Sequence, residues 1–544
     1  MLKNNHNPDA EHKKNWLAKF FDGFNHKYAS LETKYQKLIS LIANRRVVTF
    51  VILVIFMAGT GLLGKFTATG FIPNEDQGTI YANILTPAGA TLERTEKIAD
   101  EIQNVAKEIG GVASVSTLAG YSVLSEGVGA SYGMNLISLN TWKERKYSDK
   151  EIIQQLNEKT THIKDAKIEF FTPPPVPGYG NSSGFELRLL DKTGKSDLKN
   201  LEKVTNDFVS ELNKQPEIVN SFTTFNASFP QLLVSIDYLK AAQKKVVIDD
   251  VLSTLQTYLG SEYATNFIRF GQLYRVMVQA APEYRALPED ILKMYVKNQE
   301  GEMVPISEFV SITKTYGPEQ ITRYNMYTSA MLTGEPAKGF SSGDAITAIK
   351  RTAKEKLPKG FDYDWAGSSR DQANAGSESI IIFAVCLLFV YLLLSAQYES
   401  FLLPLPVILA LPTGIFGAFL FLLMMGLENN IYAQIAMIML IGLLAKNAIL
   451  IVEFAILKQK EGYTPLQAAV EGATMRLRPI LMTSFAFIAG LIPLMLASGA
   501  GAIGNRTIGS ASAGGMLFGT IFGIIIIPGL YVAFATISEK FSKK

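Results

Sequence analysis

Six long apolar runs constrain this chain more than any other feature. Residues 47–64, VVTFVILVIFMAGTGLLG, carry no charge and are long enough to cross a bilayer as one helix. Five more runs follow, at about 378–396, 402–425, 431–457, 479–498 and 507–537. Backbone polar groups in hydrocarbon must be bonded within their own segment, so runs of this length are read as helices. The polar segment 65–377 between the first and second runs is then a water-facing region, with room for two or three domains. A hydrophobic content of 48% fits that division, being high for a soluble protein and low for one wholly in lipid.

Charge predicts the orientation, because loops rich in Lys and Arg stay cytoplasmic. Lys27, Lys34, Lys37, Arg45 and Arg46 precede the first run, Lys458, Lys460, Arg476 and Arg478 separate the fourth from the fifth, and Lys540, Lys543 and Lys544 end the chain. With six crossings all three groups fall on one side. Both termini are therefore expected in the cytoplasm and segment 65–377 outside it. The net charge of +3 gives no footing for a nucleic-acid partner. The lone Cys386 lies within a span, so packed cores, not disulfides, must hold the external segment. Residues 1–15 are polar and do not have the pattern expected of a secretory signal. In residues 16–42, Trp16, Phe20, Phe24, Leu31, Tyr35, Leu38 and Ile42 recur at helical spacing opposite lysines, the pattern of an interfacial amphipathic helix.

Alternation within 79–172 reads as strand (79–86), helix (91–109), strand (112–118), strand (133–140), helix (148–163) and strand (167–172), a split βαβ unit. The proline-rich stretch 173–183 then breaks the pattern. It restarts at 185–191, 196–215 and 218–225 and finishes at 322–333, 343–356 and 361–366, with an insert at about 230–317. The expected organisation is a cytoplasmic segment and amphipathic helix (1–46), a first span (47–64), a first α/β unit (65–172), a linker (173–183), a second unit (184–229 and 318–367) carrying the insert (230–317), five spans (378–537) and a tail (538–544).

The fourth run contains LLAKNAILIVEFA at 443–455. A lone charge at mid-membrane costs about 2.5–3.5 kcal/mol on insertion scales, so Lys446 should face protein or water and have a partner. Lys446 and Glu453 are seven apart and share a helix face, and Asn447 beside the lysine can donate and accept. In the next run Arg476 and Thr483 are also seven apart, which would aim both at one bundle interior. Positive-inside anchoring explains Arg476 as well as a relay does, and Thr483 alone reads as a helix-packing hydroxyl.

Three stretches, FIPNEDQGTIYANILTPAGATLERTEKIADEI (71–102), LLAKNAILIVEFA (443–455) and MRLRPILMTSFAFIAGLIPL (475–494), resemble the resistance-nodulation-division (RND) transporters, and within them the hydrophobe/amphiphile efflux pumps of Gram-negative bacteria. The resemblance runs from about residue 14 to residue 540 and covers the second half of such a pump. It implies a polytopic α-helical membrane protein of the inner membrane with six transmembrane helices and a large periplasmic α+β region. That region would be two ferredoxin-like βαββαβ units, the second carrying an inserted docking subdomain. It also implies a secondary transporter, not an enzyme, driven by the proton motive force without a cofactor or metal. The assembly implied is a homotrimer with a periplasmic adaptor and an outer-membrane channel, exporting small amphiphilic substrates in contact with membrane lipid.

In the family the matching lysine pairs with two adjacent aspartates of the first half. By resemblance Lys446 is the counter-charge, Asn447 and Thr483 belong to the hydrogen-bonded relay, and Arg476 lies on the proton's path. No Asp occurs after Asp371, so those acids must come from an N-terminal half, on the same or a separate chain. Residues 119–131, AGYSVLSEGVGAS, resemble the mobile loop between two substrate pockets; Ser116, Tyr121, Val123, Leu136 and Phe171 match pocket positions. The sequence leaves Leu136 and Phe171 divided between pocket lining and the cores of their own unit. Two other readings stay open: an RND relative with a lipid or other cargo, and a membrane-anchored binding or assembly subunit that does not pump. A nucleoside-triphosphate-driven pump is disfavoured by the lack of a GxxxxGK[ST] loop.

Overall fold

The computed structural model describes residues 16–124, 127–195 and 197–542. The polar segment 1–15, Lys543 and Lys544 lie outside the described residues, as do the side chains of 16–24, 375–380 and 540–542. Among the described residues, six helices are long and apolar enough to cross a membrane: Arg46–Phe66, Ile381–Tyr398, Leu405–Met424, Ile431–Lys460, Pro465–Met495 and Ala502–Glu539. The sixth is the bundle's centre, 67% buried, while the first two are 17% and 11% buried. Spans three and six touch backbone to backbone: a Cβ on Gly417 would stand 2.4 Å from the Gly514 carbonyl oxygen, and one on Gly514 would stand 2.6 Å from that of Gly417. Without a hydrophobic drive inside lipid, such close glycine contacts let dispersion hold helices together.

Several helices outrun their apolar runs. The fifth begins at Pro465, well before the apolar run at 479, with a Thr464–Gln467 capping box closing its first turn. Charged Glu471, Arg476 and Arg478 occupy that early part, so hydropathy finds the membrane-crossing portion and misses the helix. The second span is likewise the end of one helix, Gly367–Tyr398. The third is broken at Ala410 into Leu405–Leu409 and Leu411–Met424, and Pro412 just after the break has no N–H to carry the ladder across it.

The N-terminal helix Trp16–Asn44 corrects the sequence-based stripe. Tyr35, Ile39, Ile42 and Ala43 are buried, while Leu31 and Leu38 are 50% and 43% exposed. The Tyr35 hydroxyl donates to the Ile524 carbonyl at 2.8 Å. That anchor turns one edge of a wide apolar stripe onto the bundle and leaves Leu31 and Leu38 on its far edge.

Outside the bundle, the first α/β unit has strands β1 (Thr79–Leu85), β2 (Val112–Ser122), β3 (Gly127–Leu139) and β4 (Lys167–Phe171), with helices Leu92–Lys107 and Asp149–Lys159 between them. The sheet is antiparallel, in the order β2-β3-β1-β4. Alternate residues Ile80, Ala82 and Ile84 of β1 face the helices and are buried with Ile98, Ile102, Ile137 and Ile152. The second unit repeats the pattern. Its strands β5 (Phe185–Asp191) and β6 (Ile218–Thr223) join Tyr327–Pro336 and Phe361–Ala366, with β5 central and β6 on Tyr327–Pro336. Leu187, Leu189, Leu201 and Leu332 fill its core.

The insert builds on the paired strands Phe229–Ile236 and Val310–Gly317 and has a core of its own around Val251, Ile291 and Ile306. Its hairpin Glu262–Arg269/Gln272–Val278 stands away from that core, with Ile268 76% and Phe270 84% exposed. The stretch 68–76 stitches these parts to the bundle. Asn429 N–H donates to the Ala68 carbonyl at 2.7 Å, Ile431 N–H to that of Phe71 at 3.0 Å and Gly343 N–H to that of Thr69 at 3.1 Å. Glu75 accepts from Gly504 N–H at 2.9 Å. Asp76 pairs with Arg145, whose side chain is 2% exposed. The stretch 68–76, which runs into the FIPNEDQG motif at Phe71, is thus the joint where the first span, two other inter-span loops and both α/β units meet.

Candidate functional site

The fourth span is capped by Asn430, whose Oδ1 accepts from Tyr432 and Ala433 N–H at 3.0 and 3.1 Å. Successive residues on a helix are turned by about 100°, which separates the adjacent Lys446 and Asn447. Asn447 is 4% exposed and donates to the Ser484 hydroxyl at 3.2 Å. The Thr520 hydroxyl donates to the same oxygen at 2.9 Å. Spans four, five and six are therefore tied by a buried polar triad, two members of which sequence reasoning missed. Serine and threonine are frequent in such runs, and nothing in the sequence marks which of them converge.

Lys446 lies on the other side of this helix and is exposed. Ile435, Met439 and Leu457 are 51%, 38% and 47% exposed, and Gly442 and Glu453 are exposed as well. Spaced by three, four and seven, they make one uncovered stripe. Among the described residues nothing pairs with the Lys446 ammonium. Thr483 is exposed too, its hydroxyl donating back to the Pro479 and Ile480 carbonyls at 3.0 and 3.1 Å. The Arg476 guanidinium sits 3.6 Å from the centroid of the Phe454 ring, and its Nε is buried with no acceptor among the described residues. The structure thus places Lys446 and Thr483 on open helix faces, Arg476 against the fourth span and Asn447 inside the bundle.

The predicted pocket positions sort by strand register. Ser116 opposes Leu136, Leu136 opposes Tyr81, and Tyr81 opposes Phe171, so the four form one row across the sheet face that carries no helices. Leu136 is half-buried and Phe171 is 4% exposed; the Tyr81 and Phe171 rings meet edge to face with centroids 5.7 Å apart. Tyr81 was missed because its membership depends on register, which a single strand's alternation does not reveal. The next row on this face runs Leu118, Met134, Asn83, Glu169.

Tyr121 and Val123 lie farther along. The stretch 119–131, read as a loop, is mostly hairpin: β2 continues to Ser122 and β3 starts at Gly127. A bulge between Ala119 and Tyr121, with Gly120 at φ +91°, lets the ladder continue through residues of low strand propensity. Tyr121 is 38% exposed and pairs with Val128. The Ser122 hydroxyl donates to Asn83 Oδ1 at 2.7 Å, fastening the hairpin to the row beside the pocket. Ser125 and Glu126 lie outside the described residues.

This face borders the second unit. The Tyr132 hydroxyl donates to Glu319 at 2.6 Å, and the Lys167 ammonium stands 5.4 Å from the centroid of the Phe222 ring. A cavity of about 110 Å³ lies on the boundary, lined by Leu124 and Tyr132 on one side and Arg188, Phe225, Glu319 and Met331 on the other. Burial raises the Glu169 carboxyl above its ordinary range, against the pull of the Lys167 charge.

Six apolar helices among the described residues, a charged residue on an open helix face and a large α/β region fit a multi-pass membrane protein. Comparison with known proteins makes this specific. Residues 1–535 match the AcrB/AcrD/AcrF family, and the chain belongs to it. It is 36% identical over 523 residues to a toluene efflux pump membrane transporter of Pseudomonas putida, an alignment covering 95% of this chain and 49% of the relative. It is 35% identical over 543 residues to the multidrug resistance protein MdtF of Escherichia coli, covering 98% and 52%. The chain spans about half the length of the curated relatives it matches.

Proposed function

We propose that the chain acts as the C-terminal half of a proton-driven RND multidrug efflux subunit. The observation that carries this reading is Lys446: a charge in the middle of a membrane-crossing helix, on an open face, with no acid partner among the described residues. Such a charge is costly in lipid and cheap opposite a carboxylate. An acidic pair from an N-terminal half, on this or another chain, would supply that partner, and protonation of the pair would release the lysine. Thr483 and the Asn447–Ser484–Thr520 triad would relay the rearrangement, with Arg476 near the cytoplasmic entrance.

The ferredoxin-like reading of both α/β units is supported by their β-α-β-β-α-β order and antiparallel pairing. Amphiphiles would enter from the periplasm or the inner membrane and bind against the Ser116–Leu136–Tyr81–Phe171 row. The exposed apolar hairpin of the insert supports contact with other proteins; in the proposed assembly these are the trimer neighbours, a periplasmic adaptor and an outer-membrane channel. The names of the relatives, a toluene pump and a multidrug resistance protein, support apolar cargo.

The test is export of a fluorescent amphiphile from cells producing the protein. Export should stop when an uncoupler collapses the proton gradient and with Lys446→Ala; export that survives either change overturns the reading. A blot of native membranes, probed for the 65–377 region, then shows whether the acids reside on the same chain. A band near twice the mass of this chain places them there, and a band at its own mass places them on a separate one.

A further inference from the structure

One contact between the two α/β units has the composition of a ligand seat. The Lys167 ammonium lies 2.7 Å from Glu169 Oε1 and faces the Phe222 ring at 5.4 Å. Glu169 is on β4 of the first unit and Phe222 on β6 of the second. A carboxylate and an aromatic face around one ammonium is how proteins hold organic cations, by Coulomb attraction and by the negative face of the ring. Here the chain supplies the cation itself.

The pair is unequal. The Glu169 side chain is 14% exposed, that of Lys167 56%. Glu169 Oε2 is buried and has no donor among the described residues, so the carboxylate is under-satisfied even with Lys167 in place. Lys167 can leave for water and be rehydrated at little cost; Glu169 cannot follow it. Its register partner Asn83 is two residues from Tyr81, and Glu169 is two residues from Phe171, which puts carboxylate and rings on one sheet face. A cation taking the lysine's place would set its charge at Glu169 and its body toward the half-buried Tyr81 ring, which packs on the buried Phe171.

We propose that Glu169, Phe222 and the Tyr81–Phe171 pair form a seat for an amphiphilic organic ammonium ion, and that Lys167 occupies it until such a ligand displaces it. The exchange swaps one cation for another and leaves the charge of the seat unchanged. It also substitutes a mobile contact for the tethered one that now joins the two units. The inference rests on the transport reading for the origin of the ligand, and names the class of cargo this face prefers.

The experiment is equilibrium binding to the purified, detergent-solubilised chain. The probes are (naphthylmethyl)trimethylammonium and its neutral isostere, in which carbon replaces the quaternary nitrogen. Glu169→Gln should weaken binding of the cation about tenfold, the loss of roughly one charge-assisted contact, and leave the isostere unchanged, which also reports an intact fold. Lys167→Met should tighten the cation several-fold by removing its competitor. Unchanged cation affinity in Glu169→Gln, equal loss of both probes, weaker cation binding in Lys167→Met, or no cation binding to the wild-type chain each overturns the proposal. Cell export of the cationic probe separates the two readings. Charge-selective binding without export retires the pump and keeps the seat, whereas export indifferent to Glu169→Gln keeps the pump and retires the seat.

Discussion

The α/β units and the helix bundle solve the problem of apolar surface in opposite ways. In the units the strands' inward faces are closed by helices, with Ile80, Ile137, Leu187 and Leu201 fully buried. In the bundle, the first two spans leave Val54, Ile55, Ile381 and Phe389 60%, 62%, 62% and 66% exposed. Water penalises an open apolar face and lipid does not. An uncovered side chain in the bundle is therefore uninformative when it is apolar and informative when it is charged, which is why Lys446 weighs more than all the leucines around it.

The sharpest way to break this comparison is at Lys446. Lys446→Ala should reduce export to the level of cells without the protein while leaving thermal unfolding of the solubilised protein unchanged, because no described residue depends on that ammonium. A marked loss of stability with export retained would mean that the lysine is a packing residue and that the open face has been misread. The next largest effect belongs to the closed cores. Leu187→Ala, in the second unit, should cost about 2–5 kcal/mol through lost burial and the cavity left behind. Ile381→Ala, on the open second span, should cost under about 0.5 kcal/mol. Denaturant unfolding of the two variants makes the measurement, and similar costs would show that Ile381 is covered in the working protein.

The two regions also differed in how much the sequence disclosed. Apolar runs announce spans, and alternation such as TIYANIL announces a half-buried strand, because both signals are local. What was not local stayed hidden. Lys446 and Asn447 are neighbours in sequence, yet helix geometry sends one to the open face and the other to Ser484. Tyr81 carries no mark in its own strand, and its place beside Phe171 comes from the register of β1 on β4. The 119–131 stretch has the composition of a loop; a bulge and one left-handed glycine make it a hairpin. The helix beginning at Pro465 shows the same limit, since hydropathy reports the solvent and not the backbone.

Where spans three and six cross, the bundle is as tightly specified as any core, and this sharpens the contrast with its open faces. Gly417→Leu should destabilise by about 1–3 kcal/mol, the cost of overpacking, since its Cβ would stand 2.4 Å from a backbone oxygen that cannot swing aside. Gly442→Leu is the control: nothing lies within 4 Å of a Cβ there, and stability should be unchanged. Unfolding of the solubilised variants distinguishes a glycine needed for contact from one that merely occurs in a span.

The smallest effect is expected where the two regions meet. Glu335 of the second unit, Asp149 of the first and Glu428 of the loop between spans three and four all have carboxyl pKa values raised chiefly by burial. The Lys150 charge pulls down on each of them, so one ammonium serves three withdrawn acids built on three different parts of the molecule. Neighbouring acids push the other way: Asp149 on Glu335, Asp76 on Asp149, and Asp344 on Glu428. A carboxyl whose folded pKa exceeds its unfolded value binds more protons when folded. Its stabilising contribution is complete below the ordinary carboxylate range and is lost as pH rises through the raised value. The joint should therefore tighten on mild acidification from neutral pH, with a rise in unfolding temperature on the order of 1–2 °C. Glu335→Gln, which keeps the shape and removes one of the titrating groups, should be more stable than wild type at neutral pH and show a shallower dependence. A wild-type protein that loosens instead would mean that the paired carboxylates of the surface, such as Asp362 with Lys192, outweigh the joint, and that acid acts on the α/β units before it reaches the place where they are fastened to the bundle.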